Sequence, residues 1–305
     1  LVSTPPAVNN VTCNESLGFR NASRLCHTCA ANHKRQGSDR CAKCPDNQSE
    51  NWGLMFLGVL VIFLVLAYLV GDAISEAGKI TVSASIQKIL VNHFQVVTLC
   101  SNFPLRWPSA LEGLFEVQGA ISTLGEHLVN PDCITTSSSA AQLYYSKQQA
   151  FAMLPFCVLV LSFIFWFLIG KVKKNPFFRK RLTRDDTTPK DKFVVTSTSV
   201  IYLLYPTLCK NAFGLFNCKE IANVFYLRAD LEEECYTGDH QTMMWAFGLG
   251  QVIVFVIGLP LVVYLFLHHN RAHLGDHAPM ARYGLFYGAY KSSRFFWEEI
   301  ITIRK

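Results

Sequence analysis

Lys88, Asn92 and Gln95 recur at i, i+4 and i+7 inside the apolar stretch ITVSASIQKILVNHFQVVTLCSN, so they share one face of a helix, with His93 beside that face. Ionisable groups in a lipid-spanning helix are costly; they pair with one another or line a water path, and they mark functional positions. Two readings follow: a permeation or gating element, or polar contacts that hold neighbouring helices together. A second set of reactive residues lies in the first 51 positions, which hold Cys13, Cys26, Cys29, Cys41 and Cys44. Cys26-x-x-Cys29 and Cys41-x-x-Cys44 have the spacing of a four-thiolate zinc site. The same segment carries the glycosylation sequons at Asn10, Asn14, Asn21 and Asn47, and no other sequon occurs in the chain. Sequons place the segment in an oxidising compartment, so disulfides are expected there rather than zinc. Asn47, close to the first apolar segment, is the sequon expected to stay bare.

Other constellations are weaker. His269, His273 and His277 are spaced by four, with His268 adjoining, and on one helix they could hold zinc or copper. Gly275 and Pro279 weaken that helix and no cysteine or paired carboxylate joins it, so solvent-facing histidines and no metal are expected. Glu232-Glu233-Glu234 reads as a solvated acidic face. The chain has no G-x-S-x-G, G-x-x-x-x-G-K-[ST], H-E-x-x-H or dinucleotide fingerprint. Neither enzymatic activity nor a cofactor is expected.

The elements that must carry these residues are hydrophobic helices. Half of the 305 residues are hydrophobic and 16% are charged, against about 25% in soluble domains. Residues 52–70 contain no charge, and nineteen helical residues reach across about 30 Å of hydrocarbon. Further apolar stretches cover 80–102, 149–170, 193–217 and 243–267, and a sixth helix begins near Phe296. Pro155, Pro206 and Pro260 lie inside them, which membranes tolerate better than water does. The stretch at 80–102 is the least apolar, and charge decides its assignment. If it crosses, the inner loops 71–79, 171–192 and 268–294 carry 14 Lys and Arg, while the outer loops 103–148 and 218–242 carry two each. If it did not, the run Lys171–Lys192 would lie outside, against the bias of basic residues toward the cytoplasm.

The expected architecture is therefore an all-α transmembrane helix bundle, residues 52–305, behind a small disulfide-rich extracellular module, residues 1–51. The formal net charge of +6 sits in loops between spans, so nucleic acid is not an expected partner. Lys171–Lys192 would instead attract anionic inner-leaflet lipids. The chain opens without Met and stops within a helix start, and is expected to be a piece of a longer protein. In this topology Cys133, Cys218 and Cys235 also lie outside. Cys218 and Cys235 share one loop and are expected to pair, leaving Cys133 for the odd N-terminal cysteine; Cys100, Cys157 and Cys209 are expected to be buried thiols. The outer loop after Trp107-Pro108 has Leu111, Leu114, Phe115, Val117 and Ile121 at helical spacing, which suits an interfacial helix or a re-entrant one.

Two strings carry a resemblance. Cys13-x4-Gly18-Phe19…Leu25-Cys26-x-x-Cys29…Gly37…Cys41-x-x-Cys44-Pro45 resembles the small cysteine-rich repeats related to those of ephrin receptors. Arg106-Trp107-Pro108 together with Arg282-Tyr283-Gly284-Leu285-Phe286-Tyr287-x-x-Tyr290…Phe296-Trp297-Glu298…Arg304-Lys305 resembles the membrane domain that follows such repeats in protist and algal surface proteins. That domain is distantly similar to transient receptor potential (TRP)-like channels. The resemblance implies a multi-span channel or sensor subunit at the plasma membrane or another secretory-pathway membrane, with further spans after Lys305. The rival reading is a non-conducting receptor or anchor with an extracellular protein partner. An oligomer is compatible with both.

Overall fold

The computed structural model describes residues 12–21, 23–30, 32–36, 40–44, 48–75, 82–101, 108, 140–173 and 188–304. Helices dominate: α1 Gln48–Ser75, α2 Val82–Ser101, α3 Ala140–Lys173, α4 Pro189–Gly214, α5 Gly238–His269, α6 His277–Tyr287 and α7 Trp297–Arg304. Among the described residues, three helices are long and apolar enough to cross a membrane: Gln142–Lys171 within α3, Pro189–Gly214 and Gly238–His269. Within α1 the apolar run is the shorter Phe56–Asp72. The 20-residue α2 is long enough to cross but is less apolar, which follows from Lys88, Asn92, His93 and Gln95. Large side chains such as Phe63, Phe163, Phe165, Ile253 and Val262 stand exposed on α1, α3 and α5. An apolar surface of that kind fits lipid contact rather than water.

The all-α expectation needs correction, because two small sheets are present. His33–Gln36 (β1) and Arg40–Lys43 (β2) form an antiparallel hairpin in the N-terminal module. The segment after α4 folds as a three-stranded antiparallel sheet of Cys218–Ile221 (β3), Val224–Leu227 (β4) and Asp230–Glu234 (β5). The run Val224-Phe225-Tyr226-Leu227 is β-branched and aromatic, which favours a strand. Ala222 and Asn223 join β3 to β4 with φ of 52° and 64°. Two successive left-handed residues make the tight hairpin turn whose twist matches that of its strands.

The residues fall into two compact units. One comprises Leu1–Val59, Glu126–Ala150 and Lys210–Gln251. In it the module is closed by Cys13–Cys26 and Cys29–Cys41, and the three-stranded sheet by Cys218–Cys235. Gly18 takes a φ of 79°, and a Cβ there would meet the Cys41 carbonyl oxygen at 2.9 Å, so the close chain approach beneath it requires glycine.

The other unit comprises Leu60–Gly125, Phe151–Cys209 and Val252–Lys305. Its interior holds two apolar clusters, one around Val200, Leu204, Leu208 and Phe255, the other around Tyr202, Leu267, Leu274, Phe286 and Tyr287. Helix α4 contributes to both and is the most buried of the three long apolar helices. Its start is fixed locally. Thr188 and Asp191 form a reciprocal cap: Thr188 N and Oγ1 donate to Asp191 Oδ2 at 3.0 and 2.7 Å, and Asp191 N donates to Thr188 Oγ1 at 3.3 Å. Pro189 opens the helix between them, where its missing N–H costs nothing. Arg282 of α6 donates from Nε to the other oxygen of Asp191.

Helix α5 departs from α geometry, widening to π-helix over Met244–Gly248 and Val252–Gly258. Pro260 has no N–H for the Val256 carbonyl, the partner an α-helix would assign it. The Tyr205 hydroxyl of α4 donates to that carbonyl at 3.2 Å.

Candidate functional site

Lys88 and Asn92, one turn apart on α2, reach the same buried carboxylate network in the second unit. Lys88 Nζ lies 2.7 Å from Glu298 Oε2, with both side chains almost wholly enclosed. It also donates to the Leu285 carbonyl at 2.6 Å and lies 4.8 Å from the centroid of the Tyr290 ring. Tyr290 donates to Glu298 Oε2 at 2.7 Å, and Tyr202 of α4 donates to Oε1 at 2.7 Å. The carboxylate at the start of α7 thus receives three donors from three different segments.

Tyr202 Oη also lies 2.7 Å from the side-chain oxygen assigned to Asn92. A phenol has a single proton, and the bond to a charged carboxylate is the stronger use of it. Turning the Asn92 amide by half a rotation lets its NH2 donate to the phenolic oxygen while the phenol donates to Glu298. Glu299 is buried beside Glu298, and its Oε1 has no hydrogen-bond partner among the described residues. Gln95 is buried on the same helix, whereas His93 is exposed and stands apart from the network.

This arrangement contains no nucleophile–base pair. What it can do is electrostatic. Removing one member of a buried ion pair leaves an uncompensated charge at a cost of about 3–5 kcal/mol, so loss of either Lys88 or Glu298 alone would be costly. Lys88 and Asn92 are singled out by their spacing in the sequence, whereas Glu298 and Tyr290 stand out only within the resembling string and Tyr202 not at all. A signal was present: a lysine within an apolar helix requires an acid, and Glu298-Glu299 follow the apolar Phe295-Phe296-Trp297.

The thiols are placed as follows. Cys26 bonds to Cys13 and Cys29 to Cys41, so neither C-x-x-C pair is available for zinc. Cys44 is disulfide-bonded as well. Cys218 bonds to Cys235. The described free thiols depart from the buried assignment: Cys157 is exposed on the apolar surface of α3, and Cys209 is half-buried. Cys133, Asn10, Asn47, the apolar loop around 111–121 and most of Lys171–Lys192 lie outside the described residues. Asn14 and Asn21 are exposed within the module.

The acidic cluster is not a bare solvated face. Glu232 accepts from Arg24 N at 2.7 Å, and Glu233 accepts from the Tyr145 hydroxyl at 3.1 Å. Arg24 also donates from Nη1 to the Leu231 carbonyl at 2.6 Å and lies 3.7 Å over the Tyr226 ring. One arginine therefore fastens the cysteine-rich module to the three-stranded sheet. Burial pushes the Asp230 carboxyl above its ordinary range, and the Glu232 N–H that it accepts at 3.1 Å opposes that shift.

His240 lies close enough to Cys218 and Cys235 for the three ligand atoms to suit a metal, but the sulfurs are committed to each other. The ring uses Nδ1 to accept from Tyr236 N at 3.1 Å and turns Nε2 to the Leu215 carbonyl at 3.0 Å, which sets the proton on Nε2. His268 and His269 end α5, and His273 lies in the 3-10 turn Arg271–His273, exposed and 3.3 Å from Asp276. His277 begins α6, so the spaced histidines do not share one helix.

No family-level sequence profile matches the chain, and no solved structure matches it. Over 116 residues it is 26% identical to cysteine repeat modular protein A of Toxoplasma gondii. That match takes in 35% of this chain and 4% of the other protein. The chain is therefore similar in part to a much longer cysteine-repeat protein, in keeping with its disulfide-bonded module.

Proposed function

We propose that the chain is part of a multi-span cell-surface membrane protein, a TRP-like channel or sensor subunit whose N-terminal module faces outward. The observation that carries this reading is the Lys88–Glu298 pair, enclosed among apolar helices with Tyr202, Tyr290 and Asn92 around it. Ionisable pairs in such positions bias one of two helix arrangements, which is what a gate or sensor needs. On this reading the bilayer covers the exposed apolar faces of α1, α3 and α5, anionic lipid headgroups meet Lys171–Lys192, and the protein resides in the plasma membrane or another secretory-pathway membrane.

Arg24 supports the rival, a non-conducting receptor or anchor. The cysteine-rich module is clasped to the three-stranded sheet by Arg24, a connection suited to passing an extracellular load or binding event to the helices. Current recording from reconstituted full-length protein separates the two. A channel gives currents that Lys88→Ala alters in open probability. Silence from correctly folded protein, together with retained binding of an extracellular protein, leaves the anchor.

A further inference from the structure

The sequons at Asn14 and Asn21 lie within the single 13-residue separation closed by Cys13–Cys26, yet their surroundings differ. At the first, Asn14 and Ser16 are both exposed. Asn14 Oδ1 accepts from Ser16 N at 3.1 Å and from Ser16 Oγ at 2.6 Å. This is an Asx turn that brings the sequon hydroxyl onto the amide of an exposed asparagine. At the second, Ser23 is buried. Its hydroxyl donates to the Arg20 carbonyl at 2.8 Å and lies 3.8 Å from Cys13 Sγ, so it faces the disulfide instead of the Asn21 amide. Asn21 turns Oδ1 inward to accept from Cys13 N at 3.4 Å.

N-glycan transfer needs the amide and the hydroxyl two residues on to be reachable together at the chain surface. We infer that, of the two described sequons of the cysteine-rich module, Asn14 is the one that carries an N-glycan and that closure of Cys13–Cys26 withdraws Asn21 from modification. The inference rests on the outward-facing module of the proposed function. In the transfer, Asn14 Nδ2 attacks the anomeric carbon of a lipid-diphosphate-linked oligosaccharide and a C–N bond forms. The bond from that carbon to the diphosphate oxygen breaks, the lipid diphosphate leaves with the electron pair, and the amide gives one proton to solvent. No oxidant or reductant is involved. A glycan on Asn14 would leave the Arg24 contact with the sheet untouched, because Asn14 takes no part in it.

The test is glycopeptide mapping of the full chain expressed in a eukaryotic secretory host. Most Asn14 peptides should carry a glycan, and few Asn21 peptides should. Ser16→Ala should remove one glycan-sized step in gel mobility, and Ser23→Ala should remove none. Cys13→Ser with Cys26→Ser should raise Asn21 occupancy; the two serine variants carry the test if that double variant does not fold. Equal occupancy of Asn14 and Asn21 in the wild type overturns the inference. So does a bare Asn14 beside a glycan on Asn10 or Asn47, although that result keeps the outward orientation. No glycan on any sequon overturns the inference and the orientation together.

Discussion

Lys88 and Glu298 illustrate how the energy of a buried charge depends on what remains after substitution. Lys88→Met leaves the Glu298 carboxylate enclosed without its cation, and the expected loss is about 3–5 kcal/mol of unfolding free energy. Adding Glu298→Gln removes the orphaned charge and should recover most of that loss. Unfolding of both variants in the same micelle measures the difference, and a single variant as stable as the wild type contradicts the burial argument. Asp230 gives a pH prediction of definite sign. Its carboxyl is raised by burial in the folded chain, so the folded state keeps a proton that the unfolded state has released. The contribution of Asp230 to stability is then greatest below the ordinary carboxylate range and declines as pH rises through the raised value. Asp230→Asn should flatten that decline while keeping an oxygen for the Glu232 N–H. A slope equal to that of the wild type would show that another group causes it.

Elements are governed by backbone constraints that composition expresses unevenly. Ala222 holds a left-handed conformation in the β3–β4 turn, which costs a residue with a Cβ about 1 kcal/mol or more. Ala222→Gly should therefore raise the stability of the sheet by about 1 kcal/mol, read as a shift in thermal unfolding; Asn223, a residue type that tolerates this region, should gain less from the same change. The sheet itself was hard to read from sequence. Its strands are four or five residues long, Glu232-Glu233-Glu234 resembles a polar loop, and Ala-Asn is an unusual pair for a tight hairpin. Helices were legible, because long apolar runs have few other uses. Thr188-Pro189-x-Asp191 was an available start signal for α4 and places its beginning four residues before the apolar stretch expected at 193. Tyr202, Tyr290 and Glu298 were not assembled into a site, because an isolated tyrosine or glutamate near an apolar run does not reveal which distant lysine it meets.

At the scale of the whole molecule the proposed function turns on sidedness. Cys13–Cys26 and Cys29–Cys41 lie in the module and Cys218–Cys235 in the loop between α4 and α5, while Asp191, which pairs with Arg282 of α6, lies in the first turn of α4. A protease that cannot cross membranes, applied to intact cells, is expected to spare Lys171–Lys192 and to cut it only after permeabilisation. Cleavage before permeabilisation would invert the proposed topology.

Tyr205 has a mechanical consequence. Because Pro260 has no hydrogen to offer Val256, one strut of α5 belongs to its neighbour, and an axial slip of α4 beyond bonding reach strips that oxygen of its phenolic donor in greasy surroundings. This bond therefore opposes axial sliding of the two helices at that level more than it opposes rolling or tilting about it.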